Sequence, residues 1–295
     1  MQPMEGISVI VPAKNEAAVV PACLESLLAQ TYDGPLQVVV VANNCTDDTV
    51  TVSRAFGDRF AARGWQLEVL DTHVESGAQG TKPGALNDGD AASAHTSRVY
   101  LDADIQLSAH ALRAIADAFA AGVLLCAPSI VASGTCYASR AYARIWSSLP
   151  LVRRDVIGAG VYAVSAHGRK RWDVFPDIVS DDKFVRLHFT PAERVVLKDA
   201  QFEIRMPAGL RELVIVRSRW IRGNWELAET FPHLAVSDRR RWGDSVRHLA
   251  STPSCWRDVP LVAAIYACAE FRALLTRRTG TLRWERAERA RALRA

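Results

Sequence analysis

The chain of 295 residues is 49% hydrophobic and 23% charged, so it folds around a large core, as one big domain or two, and lies outside the composition of disordered chains. Its net charge of +4 divides unevenly: residues 1–210 carry 19 Lys and Arg against 23 Asp and Glu, and residues 211–295 carry 17 against 9. That basic segment suits an anionic lipid or nucleic-acid surface, and equally a solvated helix. Six cysteines without a C-x-x-C pair suggest neither a disulfide framework nor a zinc site of the usual spacing, and MQPMEGISVIVP shows no basic-then-apolar pattern of a secretory signal, so core thiols in a reducing compartment are expected.

In chain order, ISVIVP (7–12), LQVVVVA (36–42), QLEVLD (66–71) and RVYLD (98–102) read as short, β-branched strands covered on both faces. Val20, Leu24, Leu27 and Leu28 recur at helical spacing between the first two and mark a helix with one buried stripe. This alternation predicts a mostly parallel sheet with right-handed crossovers. Further on, helices are predicted at about 107–121 and 138–149, and strands at 122–129 and 158–165. FPDIVSDDKFVRLHF (175–189) reads as a loop and then a helix opened by Asp181 and Asp182, acids that also suit a helix start as caps. Beyond 210 the sequence turns helical and rich in Arg and Trp. There PLVAAIYACAEFRALL (260–275) is short and interrupted by Glu270 and Arg272, which predicts packing on the core ahead of a place on a membrane surface, and not a spanning helix.

Each of the first four strands is followed by a polar cluster: AKNE (13–16), NNCTDDT (43–49), THVESGAQGTKPGALNDG (72–89) and ADIQ (103–106). These lie at the carboxyl ends of strands, where open α/β sheets bind ligands. No G-x-G-x-x-G follows the first strand and GAQGTKPG is no P-loop, which argues against a dinucleotide fold and a P-loop NTPase. In SRVYLDADIQLS (97–108), Asp102 and Asp104 share one side if the extended geometry persists past the strand. Two carboxylates at that distance repel unless a cation lies between them, and a divalent ion bound to phosphates fits oxygen ligands. The plain alternative is a turn, where Asp is common.

ISVIVPAKNE, VVVVANNCTDDT, KPGALNDG, VYLDADIQL, SDD and RSRW, in this order and at these separations, resemble glycosyltransferase family 2, inverting enzymes with a GT-A fold. The resemblance covers roughly residues 6–223 and leaves the tail unmatched. It implies an α/β fold in which an open, mostly parallel twisted sheet is flanked by helices and followed by a C-terminal helical extension. Residues 1–220 would form the catalytic domain, 1–106 its nucleotide-sugar half and 107–220 its acceptor half, with 221–295 as the extension.

Residue by residue, the resemblance places Pro12, Ala13, Asn15 and Glu16 around the nucleotide base and ribose, and Asn44 and Asp47 in the loop where an acid faces the base. Asn43 stands where the family often has Asp. Lys82 and Asn87 match K-x-x-A-L-N beside the donor, although a lysine in a Gly-rich loop also suits plain solvent exposure. Asp102, Ala103 and Asp104 match D-x-D, whose first acid meets ribose or metal-bound water and whose second ligates Mn2+ or Mg2+. Asp182 takes the place of the family's general base, with Asp181 for the usual Glu before it. Arg219 and Trp220 match the end of Q-x-x-R-W, but Val216 replaces its Gln, which speaks for single addition and not processive synthesis. His188 and His233 are candidates for a third metal ligand.

The resemblance implies a nucleotide-sugar donor, most readily UDP-linked, and a hydroxyl acceptor on a lipid-linked or polysaccharide precursor. A cytoplasmic place is expected, with peripheral attachment to the inner membrane face through the basic C-terminus, and no nucleic-acid partner. A nucleotidyltransferase is the next reading, but VPAKNE lacks the Gly and Arg of a triphosphate loop. A silent nucleotide- or sugar-binding protein would have no need of a base at Asp182.

Overall fold

The computed structural model describes residues 5–74, 80–235 and 242–277. In chain order the elements are β1 (Ile7–Ala13), α1 (Val20–Leu28), β2 (Leu36–Asn43), α2 (Thr49–Arg54), α3 (Gly57–Ala62), β3 (Gln66–Thr72), α4 (Lys82–Ala92), β4 (Ser97–Leu101) and β5 (Gln106–Leu107). There follow α5 (Ala111–Ala120), β6 (Leu125–Ser133), α6 (Tyr137–Ser148), α7 (Pro150–Arg154), β7 (Val161–Val164), α8 (Ala166–Arg169), α9 (Asp181–Leu187) and β8 (Arg194–Arg205). The described elements after it are α10 (Leu210–Thr230), α11 (Pro232–Ala235), α12 (Trp242–Ala250) and α13 (Val259–Arg277). It divides into two compact units that do not follow chain order: residues 1–129, 158–177 and 188–202 form the first, and 130–157, 178–187 and 203–295 the second.

The sheet has eight strands among the described residues, in the order β3-β2-β1-β4-β7-β6-β8-β5. β1 pairs in parallel with both β2 and β4, Ile7 opposite Leu36 on one side and Ser97 on the other, and β2 pairs in parallel with β3. The valine run of β2 is buried along its whole length, as a strand covered on both faces requires. The parallel half is as the sequence predicts. On the other side, β4 with β7 and β7 with β6 are antiparallel, a change that the apolar patterning of β7 could not disclose. The sequence reading also lacks β5 and β8. β8 contains Lys198 and Asp199, both exposed, so its apolar signal is weak; tertiary pairing holds it, with Gln201 exchanging hydrogen bonds with Ser108 (2.8 and 2.9 Å).

Under the parallel half, α4 lies so close to β1 that a Cβ on Gly89 would come within 2.4 Å of Ile10 Cγ2. The next residue, Asp90, is nearly buried and accepts from Arg98 Nε (3.1 Å), Arg169 Nη2 (2.8 Å) and the Tyr100 hydroxyl (2.9 Å). Burial first, and then the Asp90 charge, push the Tyr100 hydroxyl well above its ordinary pKa, so it remains a donor. Tyr100 stacks on Tyr162 at 4.9 Å and meets the edge of Phe175 at 5.2 Å, which ties α4, β4, β7 and the segment after α8 together.

In the second unit, Asp258 is fully buried and takes hydrogen bonds from Tyr137 (3.2 Å) and Arg144 (2.8 Å), fixing the start of α13 to α6. α13 buries Val262, Ile265, Ala269 and Ala273, and Ala269 and Ala273 cluster with Ile221 of α10. The expected packing of this helix is observed for one of its faces.

Replacing Asp90 with Ala leaves two guanidinium groups in low-exposure sites without their acid, a change that costs about 3–5 kcal/mol. Urea unfolding of Asp90→Ala is expected to lose that much; a loss below about 1 kcal/mol would show that Arg98 and Arg169 reach solvent and that Asp90 does not organise this layer.

Candidate active site

β1 ends at Ala13, and the chain turns sharply at Asn15, whose φ of 53° lies in the left-handed region, one that Asn tolerates better than most residues. The turn is held from β2's loop: Asn15 N–H donates to Cys45 Sγ (3.4 Å), and Thr46 N–H donates to Asn15 Oδ1 (2.7 Å). Glu16 N–H donates to Thr49 Oγ1 (2.8 Å), and Ala17 N–H donates to Asp47 Oδ2 (3.1 Å). Partial burial raises the Asp47 pKa, but the Thr49 hydroxyl and the N–H groups of Ala17 and Thr49 outweigh it, so Asp47 sits below the usual carboxylate range. The first two loops are therefore one hydrogen-bonded body, with Pro12 half-buried, Ala13 buried and Asp47 exposed.

Asn44 is the second left-handed residue (φ 50°). Its N–H reaches Thr72 O (2.8 Å) and its Oδ1 accepts from Val74 N–H (2.8 Å), while the buried Asn43 donates to Thr81 O (3.1 Å). The two asparagines thus anchor the third loop at both of its described ends. Thr81 then caps α4 through Gly84 N–H (3.4 Å).

Lys82 opens α4, where a cation opposes the helix dipole. It is paired instead with Asp102, Nζ to Oδ1 2.9 Å, at 22% exposure, and is not a solvent-facing loop lysine. Asn87, five residues further on and turned well away from Lys82, spends its amide on the backbone of Phe175, donating to its O (3.0 Å) and accepting from its N–H (2.7 Å).

The extended geometry considered for Asp102 and Asp104 is not kept. β4 ends at Leu101, and a turn closes with Ile105 N–H to Asp102 O (3.0 Å); the two acids face out from a turn because alternation stops with the strand. Asp102 N–H is fixed to Gly160 O (2.8 Å), and Gly160 has φ 100°, with room for no Cβ because Ile105 Cγ1 lies 2.7 Å away. Ala103 is buried and Asp104 exposed. Beneath them Cys23 is fully buried, and burial, then Asp104 and Asp102, push its thiol far up, so it is a neutral core group and no nucleophile. The described residues contain no group of three His, Cys, Asp or Glu that could hold a metal. His188 lies against Trp172 and His233 against Phe231. Two accessible carboxylates on a fixed turn nevertheless fit a hard divalent ion whose remaining ligands are phosphate and water.

In the second unit, Asp181 and Asp182 form the first turn of α9, where the dipole favours them. Asp181 is buried and Asp182 half-exposed, with Asp182 Oδ1 accepting from Lys183 N–H (2.6 Å). α10, which carries Arg219 and Trp220, both half-buried, braces this loop. Glu226 accepts from Val179 N–H (3.0 Å), and a Cβ on Gly223 would sit 2.5 Å from Ser180 Oγ. Trp220 packs on Trp146 at 6.3 Å.

The structure thus brings together Asn15, Glu16, Asn44 and Asp47 as one loop body, and Lys82 with Asp102. Sequence reasoning missed Cys45, Thr49, Gly160, Gly223 and Glu226, which position these groups without motif identity. A glycine in the interior of a 21-residue helix, α10, was the one visible signal, since it costs helix stability unless close packing needs it.

A family model described as "Glycosyl transferase family 2" matches residues 8–169. A "PGL/p-HBAD biosynthesis glycosyltransferase" of Mycobacterium tuberculosis (strain ATCC 25177 / H37Ra) is 39% identical over 56 residues, 19% of this chain and 22% of the relative. Among solved structures, S. aureus TarS 1–349 in complex with UDP aligns with a TM-score of 0.53 at 15% identity, covering 95% of this chain and 94% of the other. Of another TarS structure, this chain spans 44%. The mannosyltransferase PcManGT from Pyrobaculum calidifontis in complex with GDP-Man and Mn2+ aligns with a TM-score of 0.59 at 18% identity, covering 93% and 88%. At such identities the likeness shows the fold, that of the GT-A glycosyltransferases. Since the matched region takes in the loops after β1, β2 and β4, the N-terminus of α4 and more than half of the sequence, the chain belongs to glycosyl transferase family 2.

Proposed function

We propose that the protein is an inverting glycosyltransferase that moves a sugar from a nucleotide-sugar, UDP-linked, to a hydroxyl on a lipid-linked or polysaccharide precursor, one sugar per encounter. The observation that carries this reading is the Lys82–Asp102 pair beside Asp104 at the carboxyl edge of the parallel strands, where a cation and two acids meet the place at which open α/β sheets bind phosphates. Pro12, Ala13, Asn15, Glu16, Asn44 and Asp47 take the base and ribose, the shape of their loops being set before any ligand arrives. Asn87 supports the donor indirectly, through the Phe175 backbone.

Asp104 and Asp102 would hold Mn2+ or Mg2+, which supplies positive charge against the diphosphate of the departing nucleotide. Lys82 adds a protein cation beside the same turn and lowers the cost of the charge that develops on the leaving oxygen. Asp182 accepts the proton of the acceptor hydroxyl as its oxygen bonds to the anomeric carbon, while the bond from that carbon to the diphosphate oxygen breaks on the opposite side. Configuration inverts, and the nucleoside diphosphate departs with the electron pair. Arg219 and Trp220 contribute to the donor and sugar surface; Val216, in place of Gln, supports single addition. A nucleotide-sugar donor and six free cysteines suit a cytoplasmic place, on the inner face of the membrane where a lipid-linked acceptor would be met.

Titration calorimetry with UDP, GDP and CDP, each with and without Mn2+, is expected to show tight binding of one nucleotide only with metal, and Asp104→Ala is expected to abolish that metal dependence. Unchanged Mn2+-dependent binding by the variant would remove Asp104 from the donor site. Asp182→Asn is expected to keep donor affinity and to lower release of free sugar from the donor, with water as acceptor, by about 10²–10⁴-fold, the range of general-base catalysis. Release at the wild-type rate would place the base elsewhere.

A further inference from the structure

α13 carries two apolar stripes, and the core accounts for one. Val262, Ile265, Ala269 and Ala273 are buried. On the other side Ala264, Ala267, Cys268, Phe271, Leu274 and Leu275 recur at i, i+3, i+4, i+7, i+10 and i+11 and are all exposed, Phe271, Leu274 and Leu275 by 64%, 54% and 56%. A surface helix of a water-soluble domain shows charged residues on that side. Here the most apolar 18-residue window has a mean hydropathy of 1.5 and is only 22% buried.

Beside the stripe, Leu210, Val214 and Ile215 of α10 line an open groove of about 320 Å³ that is edged by Arg211 and Arg272. Trp256, 56% exposed, and Arg257, paired with Asp258, precede the helix; Arg277, paired with Glu229, ends it, and one exposed acid, Glu270, lies at the edge of the stripe. Apolar surface with a Trp and arginines at its margins is the composition that lies in the headgroup region of a bilayer, Arg reaching the phosphates while the apolar face enters the acyl boundary.

We propose that the outward stripe of α13, with the neighbouring α10 groove, is a docking face for an anionic lipid bilayer, on which α13 lies in the plane of the interface. The helix does not span: its inner stripe is packed on α10, and α10 carries Arg211, Arg217, Arg219 and Arg222, which a spanning α13 would carry into hydrocarbon. A second copy of the chain fits less well. A two-fold contact through this stripe sets the same patch against itself, so the groove-edge Arg211 and Arg272 face like charge, whereas Arg257 and Arg277 are already paired with Asp258 and Glu229. An anionic surface gives the groove-edge arginines an opposite charge. The proposal deepens the reading of a lipid-linked acceptor and rests on it only for the choice of a lipid surface.

The test is co-sedimentation of the full chain with vesicles of phosphatidylcholine alone and of phosphatidylcholine mixed with phosphatidylglycerol, at low and high salt. Pelleting with the anionic vesicles, weakened by salt and lost in Leu274→Asp/Leu275→Asp at unchanged thermal unfolding, is the expected result; Phe271→Ser, a milder change, is expected to weaken it. Three results would overturn the proposal: no pelleting of the wild-type chain, pelleting of the variants at the wild-type level, or a wild-type dimer in sedimentation velocity that the double substitution makes monomeric. Mn2+-dependent nucleotide binding, measured on the same samples, reads the donor site separately, so either reading can fail while the other stands.

Discussion

The parallel pairing of β1 with both β2 and β4 is the constraint on which the loop residues at the sheet edge depend. Parallel strands end at the same edge of a sheet, so the loops after Ala13 and Asn43 and the turn after Leu101 emerge together. The register is set by apolar residues that are nearly inaccessible, Val9, Ile10, Val38, Val39 and Val99 among them. A slip of one residue would turn each strand's side chains to the other face and with them every loop anchor described above. Polar geometry at the edge is therefore fixed by apolar packing beneath it.

Two left-handed asparagines translate that register into loop shape. Asn15 and Asn44 hold backbone angles that cost most residues energy, and each is secured by hydrogen bonds to a neighbouring loop and not within its own. Mutual anchoring of this kind lets segments without regular structure keep one geometry, as a binding surface needs. Asp47 shows the cost of such anchoring: its carboxylate already serves Thr49 and Ala17, so any contact with a nucleotide base shares it with the frame.

The parallel strands, the first helix and the polar clusters at the strand ends were legible in the sequence because they rest on local patterns, β-branched runs and a helical stripe. β8 was not, because its exposed Lys198 and Asp199 hide the strand, and only distant partners such as Ser108 define it. The geometry expected of Asp102 and Asp104 is not the one observed. Alternation along a strand suggested one shared side, yet the strand stops at Leu101 and a turn presents them. Lys82 was legible as a motif residue but not as the partner of Asp102, since 20 positions separate them and no periodicity links them. Glu226 and Gly223 could not be assigned without knowing that α10 passes Val179 and Ser180.

The Lys82–Asp102 pair also bears on how this edge of the sheet holds charge. A lysine in the first turn of a helix faces the positive end of the dipole, and an aspartate beside a second acid faces like charge; each is unfavourable alone, and each relieves the other when they meet. With both side chains partly exposed, 22% and 38%, solvent screens the attraction and the pair contributes little to folding. Its consequence is local. On the proposed reading, a diphosphate would offer Lys82 a new anionic partner and a divalent ion would offer Asp102 a stronger cation, so the two residues would exchange partners with each other's charge replaced. The pair itself is neutral, and with Asp104 the turn carries one net negative charge, so a cation arriving there meets an excess of acid and not a balanced site.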